Sequence, residues 1–281
     1  MTTNSPSAIR VESLKVPGST LYYEVRGSGP VLLMIPGGPA DAGAFWGIAG
    51  LLADWYTVVT YDPRGNSRSK LDGPPADQKV EVHADDAHRL LAAVGAEPAY
   101  VLGSSGGAVV GLELVARHPG QVDALVAHEP PVLELLPDAA RWRAFNQEVY
   151  DTYRNDGVGP AMQKFGAGLG IEDQGPPAEM PPEMMEGMAR MGGNIEFFVA
   201  HLIRPISGYV PDIAALWATS TRIVVAAGDE SRAKPWAVYE ASVALAERLG
   251  TDVVHFPGHH GGFGTHPAAF AEKLHEVLSG D

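Results

Sequence analysis

The stretch that most constrains this chain runs from Ala99 to Val110, Ala-Tyr-Val-Leu-Gly-Ser-Ser-Gly-Gly-Ala-Val-Val. An apolar run of strand type stops at serines held between glycines and resumes as an apolar run compatible with a helix. A turn that sharp forces its central residue, Ser105, toward strained backbone angles and brings neighbouring chain close on both sides. Glycines at 103 and 107 permit that approach because they carry no Cβ. Ser105 is then lifted clear of the sheet edge, and the N–H of Gly106 opens the next helix, where it can meet developing negative charge. No lysine follows the glycines and no G-x-G-x-x-G occurs here, so the turn is not read as a phosphate or dinucleotide loop.

Composition narrows the chemistry. Cysteine is absent, which excludes disulfides, thiolate nucleophiles and cysteine-ligated zinc, and leaves Ser, His and carboxylates to do the work. The formal net charge of −14 disfavours nucleic acid or an anionic membrane as partner, since both need basic surface. The N-terminal Met-Thr-Thr-Asn-Ser-Pro-Ser lacks the basic start and apolar core of a signal peptide, and no apolar run reaches spanning length, so a cytoplasmic location is expected. A chain of 281 residues suits one α/β domain with an insertion.

Residues 8–16 and 20–26 read as an antiparallel pair, and 31–35 as a buried strand ending in Pro36-Gly37-Gly38-Pro39. A helix over 45–53 precedes a strand over 56–61 and the loop Asp62-Pro63-Arg64-Gly65-Asn66-Ser67, whose Asp62 and Arg64 read as paired, loop-bracing charges. A helix over 80–94 leads to the strand before Ser105, and the strand at 122–127 ends in His128-Glu129-Pro130-Pro131. Residues 132–211 carry helical stretches at 138–155, 159–168, 181–191 and 194–203 and no convincing strand. Strands resume at 222–227 and 252–256, with helices over 236–249 and 267–278. The expected fold is therefore α/β, an eight-stranded mostly parallel sheet flanked by helices, with residues 1–131 and 212–281 as core and 132–211 as a helical cap insertion.

The order of these segments, from the Gly-Gly loop through the G-x-S-x-G turn and the helical insertion to Pro257-Gly258-His259-His260-Gly261-Gly262-Phe263, resembles the α/β-hydrolase superfamily along nearly the whole chain. The resemblance implies a nucleophile elbow at Ser105 and an oxyanion hole from the backbone N–H groups of Gly38 and Gly106. Pro36 stands where many relatives carry a histidine, so the support of that loop must differ. A serine needs a base, and the base needs a carboxylate. The pattern P-G-x-H-x-G-[FY] selects His260 as base, with His259 the other candidate. For the acid, Glu129 occupies the position before the cap used by some haloalkane dehalogenases and by zearalenone-type lactone hydrolases. Asp229, in Gly228-Asp229-Glu230-Ser231, is the alternative after the cap. His255, His259, His260 and His266 lie close in sequence, but Pro257-Gly258 breaks any helix presenting them together and no carboxylate completes a ligand set, so no metal is expected.

Met180, Met184, Met188 and Met191 recur at helical spacing, either packing the insertion on the core or walling a pocket. Trp46, Trp142, Met184, Met188 and Phe197 are the candidate pocket residues. The expectation is a cofactor-free serine hydrolase acting on a small-molecule carboxylic ester or lactone with a sizeable hydrophobic body, an esterase or lactonase. A carbon–carbon hydrolase or lyase on the same triad, or a hydrolase-derived ligand receptor, are the alternatives.

Overall fold

The computed structural model describes residues 8–95, 98–169, 182–234 and 236–280, with only the backbone described for 182–184. Nine strands form one sheet: β1 (Arg10–Val16), β2 (Ser19–Arg26), β3 (Val31–Ile35), β4 (Thr57–Tyr61), β5 (Lys70–Leu71), β6 (Ala99–Ser104), β7 (Val122–His128), β8 (Arg222–Gly228) and β9 (Val254–Phe256). Their order is β1-β2-β4-β3-β6-β7-β8-β9, with the two-residue β5 paired to β2 off that path. The pairs involving β2 are antiparallel, and every pair from β4 to β9 is parallel. The eight expected strands are present; β5 is too short for a hydrophobic period to reveal.

Helices α1 (Trp46–Leu52), α2 (Val80–Ala93) and α3 (Gly106–Arg117) connect the first half of the sheet. Between β7 and β8 the described residues are helical: α4 (Ala139–Asp156), α5 (Val158–Leu169), α6 (Pro182–His201), α7 (Ile203–Ser207) and α8 (Ile213–Ala218). The chain closes with α9 (Ala237–Leu249), α10 (Gly262–Thr265) and α11 (Pro267–Ser279). No helix among the described residues is long and apolar enough to cross a membrane.

The parallel strands are buried on both faces, which is why they read as unbroken apolar runs. Leu33, Ile35, Val101 and Leu125 pack with α2, α3 and α9, whereas Leu32, Met34, Leu102 and Val126 pack with α1 and α11. Successive residues of one strand thus serve opposite cores, as the two-residue period of a pleated strand demands. One expectation is corrected. The helix expected to break between 191 and 194 runs unbroken as α6 through Gly192-Gly193. Both glycines are exposed in open space, so they cost only helix propensity, roughly 1 kcal/mol each, which the buried residues after them (Asn194, Phe198, Val199) outweigh.

The chain leaves β3 toward β4 on one side and returns to β6 on the other, so the carboxyl ends of β3 and β6 flank a topological switch point. In an open parallel sheet such a point forms a crevice outside the strand ends. α3 can start there only because it packs directly on β3: a Cβ on Gly107 would stand 2.1 Å from the Ile35 carbonyl oxygen. Gly107→Ala is therefore expected to lower the unfolding free energy by about 3 kcal/mol. Gly192→Ala, in open helix, should instead raise it by roughly 0.5–1 kcal/mol. Urea midpoints of the two variants check both signs.

Candidate active site

Ser105 sits at the junction of β6 and α3 with φ 55° and ψ −124°. Among the described non-glycine residues only Ser67, Ser105 and Glu129 have positive φ. A serine in that region is strained by about 1–3 kcal/mol and persists only where its surroundings over-determine it. Here the Ser105 N–H donates to the His128 carbonyl at 2.8 Å, and its own carbonyl accepts from Ala108 N–H at 2.9 Å. The residue as a whole is half-buried at the strand end.

Glu129 follows β7, also left-handed at φ 47°, and is fully buried. Its backbone N–H donates to the Ala226 carbonyl at 2.8 Å, and its Oε1 accepts from Gly228 N–H at 2.9 Å. Oε2 accepts from His260 Nδ1 at 2.6 Å. Burial alone would raise the carboxyl's pKa, but the imidazole's hydrogen bond and charge outweigh it and hold the group down at about 2. An ionised carboxylate only accepts, so Nδ1 carries the proton and Nε2 is the free ring nitrogen.

The other candidates stand elsewhere. Asp229 is exposed in the turn after β8, where its backbone N–H donates to the Phe256 carbonyl. His259 accepts from Gly261 N–H through Nδ1 at 3.1 Å and packs against Trp236. His255 pairs with the Tyr239 hydroxyl and His266 with Thr265. Among the described residues no three metal-ligating side chains converge. Of the two acids and two histidines considered, the structure brings together Glu129 and His260.

The loop after β3 lies against the elbow. A Cβ on Gly37 would meet Gly106 N at 2.9 Å, and one on Gly106 would stand 3.6 Å from Gly38 N. The amides of Gly38 and Gly106 are thus neighbours. With Pro36 in place of a histidine, the loop is held by Asp62, which the sequence marked as loop-bracing, and by two asparagines. Asn66 Nδ2 donates to Ala40 O at 2.9 Å, Asn194 Nδ2 to Pro39 O at 2.8 Å, and Asp62 Oδ1 accepts from Ala42 N–H at 3.0 Å. Asn194 also accepts from Ser67 N–H at 2.7 Å, and Arg190 pairs with Asp41 at 2.6 Å, so α6 is tied to the same loop. Asp62 and Arg64 brace as expected, Asp62 on Arg68 and Arg64 bidentate on Asp86.

A cavity of about 390 Å³ opens between these loops and the inserted helices, lined by Ser105, Gly38, Gly106 and His260 on one side. Met162, Phe165, Leu169, Met191, Phe198 and Ile206 line the other. The expected pocket residues are corrected: Trp46 is 39% exposed and Met188 37%, and neither lines the cavity. Trp142 is buried against Phe145 with its indole N–H on Asp138. Phe197 lies over Gly65 and His201. Met180 and the Met184 side chain fall outside the described residues. The face of α6 toward the cavity and its loop carries Met191, Asn194 and Phe198, a quarter turn from Phe197.

This architecture and site geometry can be set beside known proteins. The α/β hydrolase fold family's sequence profile matches residues 30–165. Uncharacterized hydrolase YraK of Bacillus subtilis is 40% identical over 272 residues, 95% of each chain. The chain belongs to the α/β hydrolase fold family. Among solved members of this fold, a hydrolase from Pseudomonas aeruginosa PA01 superposes with a TM-score of 0.73 at 22% identity, covering 99% of each chain. A thermophilic esterase from Thermogutta terrifontis gives 0.74 at 20% identity, covering 96% of this chain and 98% of that one. At these identities both show a shared α/β hydrolase fold.

Two buried imidazoles make this hydrolase acid-sensitive. His128 has neither ring nitrogen hydrogen-bonded, and burial lowers its pKa to about 4; burial and the Arg64 charge lower that of His83 to about 3. Below the unfolded value of 6.5 the unfolded chain takes up protons that the folded chain refuses, so stability falls as pH drops from 6.5. Each group removes about 3 kcal/mol by pH 4. Glu129 adds a further loss between 4.5 and about 2. Urea midpoints between pH 7 and 4 should fall accordingly, and His128→Leu should remove roughly half of that fall.

Proposed function

We propose that this α/β hydrolase cleaves carboxylic esters or lactones with a hydrophobic body through an acyl-enzyme on Ser105. The observation that carries the reading is the His260 Nδ1–Glu129 hydrogen bond of 2.6 Å at the wall of the cavity that Ser105 also lines. A serine hydroxyl becomes nucleophilic only when a base removes its proton, and the base works only in the right tautomer. Glu129 fixes that tautomer, leaving Nε2 to take the Ser105 proton.

In this mechanism Ser105 Oγ bonds to the acyl carbon as its proton passes to His260 Nε2. The oxygen that becomes negative is met by the N–H groups of Gly38 and Gly106. The C–O bond to the alcohol then breaks as His260 returns the proton to the leaving oxygen. Water, deprotonated by the same nitrogen, attacks the acyl carbon, and as the acyl–Oγ bond breaks His260 Nε2 gives that proton to Ser105 Oγ, releasing the acid and the free serine. Every proton is accounted for within the triad, and the reading calls on no cofactor. The inserted helices act as a cap, and their apolar side chains favour a small hydrophobic substrate over nucleic acid or membrane.

Intact-mass labelling with a fluorophosphonate and turnover of p-nitrophenyl esters test this. One adduct is expected on wild type and none on Ser105→Ala. His260→Ala should lower kcat by about 10⁴-fold or more and Glu129→Gln by about 10²–10⁴-fold. Asp229→Asn should stay within about two-fold of wild type, as a surface substitution does. Absence of any adduct on folded wild type would sink the acyl-enzyme and favour a ligand-receptor role. Turnover without a trappable acyl group would point to a lyase.

A further inference from the structure

One face of α6 tracks the loop after β3 turn by turn, in reverse order. A Cβ on Gly43 would stand 3.6 Å from Gly187 Cα, and Arg190 Nε donates to Asp41 Oδ2 at 2.6 Å. One turn further, Asn194 Nδ2 donates to Pro39 O at 2.8 Å. After another turn, the Phe198 ring lies 3.8 Å from where a Gly38 Cβ would stand. The helix thus follows the loop from residue 43 back to residue 38, the glycine whose N–H neighbours that of Gly106.

Asn194 is 5% exposed and uses both ends of its amide. Besides Pro39 O, its Nδ2 donates to Ser67 Oγ at 2.9 Å, and its Oδ1 accepts from Ser67 N–H at 2.7 Å. Ser67 Oγ in turn donates to Asp41 Oδ2 at 2.9 Å, the oxygen that Arg190 also meets. An apolar side chain could pack α6 onto the core, whereas a buried amide bonded at both ends specifies one position. The backbone beside it needs that restraint. Gly38 sits at φ 56°, and a glycine has the widest freedom to leave such a conformation. A donor stabilises a transition state strongly only when it is already aimed. On the core side the turn is closed by Ala40 N–H on Gly37 O at 3.1 Å and by Asn66 Nδ2 on Ala40 O at 2.9 Å. The Pro39 carbonyl between them is gripped from α6.

We propose that Asn194 is a positioning residue: through the Pro39 carbonyl it holds the Gly38 N–H aimed at the oxygen that becomes negative, so that the oxyanion hole is complete only while α6 is docked. This rests on the ester-hydrolase reading and deepens it, since the insertion then takes part in transition-state binding as well as in enclosing substrate.

Two variants test this. Asn194→Ala removes the grip, and Asn194→Asp, of the same size, keeps the acceptor for Ser67 N–H and loses the donor to Pro39 O. With p-nitrophenyl octanoate each should lower kcat about ten-fold to a hundred-fold and leave KM within about three-fold, because a misaimed donor is missed in the transition state and not in the ground state. An octyl trifluoromethyl ketone reads the same amides at equilibrium: its carbonyl carbon bonds to Ser105 Oγ as the serine proton passes to His260, leaving the negative charge on the former carbonyl oxygen. Its Ki should rise about as much as kcat falls, while that of the matching methyl ketone stays within about three-fold. A residue that only docked the insertion would weaken both ketones together and raise KM. Hydrogen exchange of the amides at 37–45, read by mass spectrometry, should quicken in both variants without calling on turnover. Kinetic constants within about two-fold of wild type in either folded variant, or equal weakening of the two ketones, overturns the assignment. Failure of the hydrolase reading is distinguishable: wild type itself then turns over no ester and favours neither ketone, and the inference falls with it even where exchange quickens.

Discussion

A carboxylate with no exposed surface keeps its charge only where hydrogen bonds and opposite charge replace water, and the Glu129 site does so through three separate segments. β7 delivers the residue, the end of β8 gives the Gly228 N–H, and the loop after β9 gives His260. The parallel pairing β7–β8–β9 is therefore a condition of the charge, since a one-residue slip would turn Gly228 N–H away. The Ser105 N–H, bonded to the carbonyl of His128, ties the elbow to the same strand end. One buried, hydrogen-bonded carboxylate thus fixes the relative positions of the serine, the histidine and the sheet edge.

The loop after β3 is secured differently. A histidine side chain at position 36 is absent, and the loop instead hangs from Asn66, Asp62 and Asn194. Asn194 belongs to α6, an element inserted almost a hundred residues after the elbow. Through it, and through Arg190 on Asp41, the inserted helices share in the geometry of the loop after β3 as well as roofing the cavity. Displacing α6 would leave the Pro39 carbonyl and Ser67 N–H without partners, each at a cost of about 1–3 kcal/mol. The position of the inserted helices and the geometry of the loop after β3 are consequently coupled in this protein.

What could be read from the sequence follows the range of the forces involved. The elbow was legible because its constraint is local: Gly103 and Gly107 are demanded by backbone contacts a few residues apart or against the adjoining strand. Resemblance offered Glu129 and His260 beside Asp229 and His259, and only the three-dimensional structure shows that the first two meet, at 2.6 Å. The pocket was not legible, because helical periodicity gives an apolar stripe without saying which part of it meets the cavity. Met188 and Trp46 are apolar and exposed, and Phe198 rather than Phe197 faces inward. Asn194 carried no signal, since an asparagine that braces a loop is indistinguishable in sequence from one in solvent.

The cost of this site is visible in where the molecule departs from its own best stability. The left-handed non-glycine residues Ser67, Ser105 and Glu129 all belong to the elbow, the acid turn or the loop bracing them. Asn66, His83, His128 and His259 each keep a buried polar atom without a partner in the same neighbourhood. Strain and unpaired polar atoms each cost on the order of 1–3 kcal/mol, so a sequence chosen for stability alone would discard them. They persist beside a cavity whose other walls are conventional apolar packing.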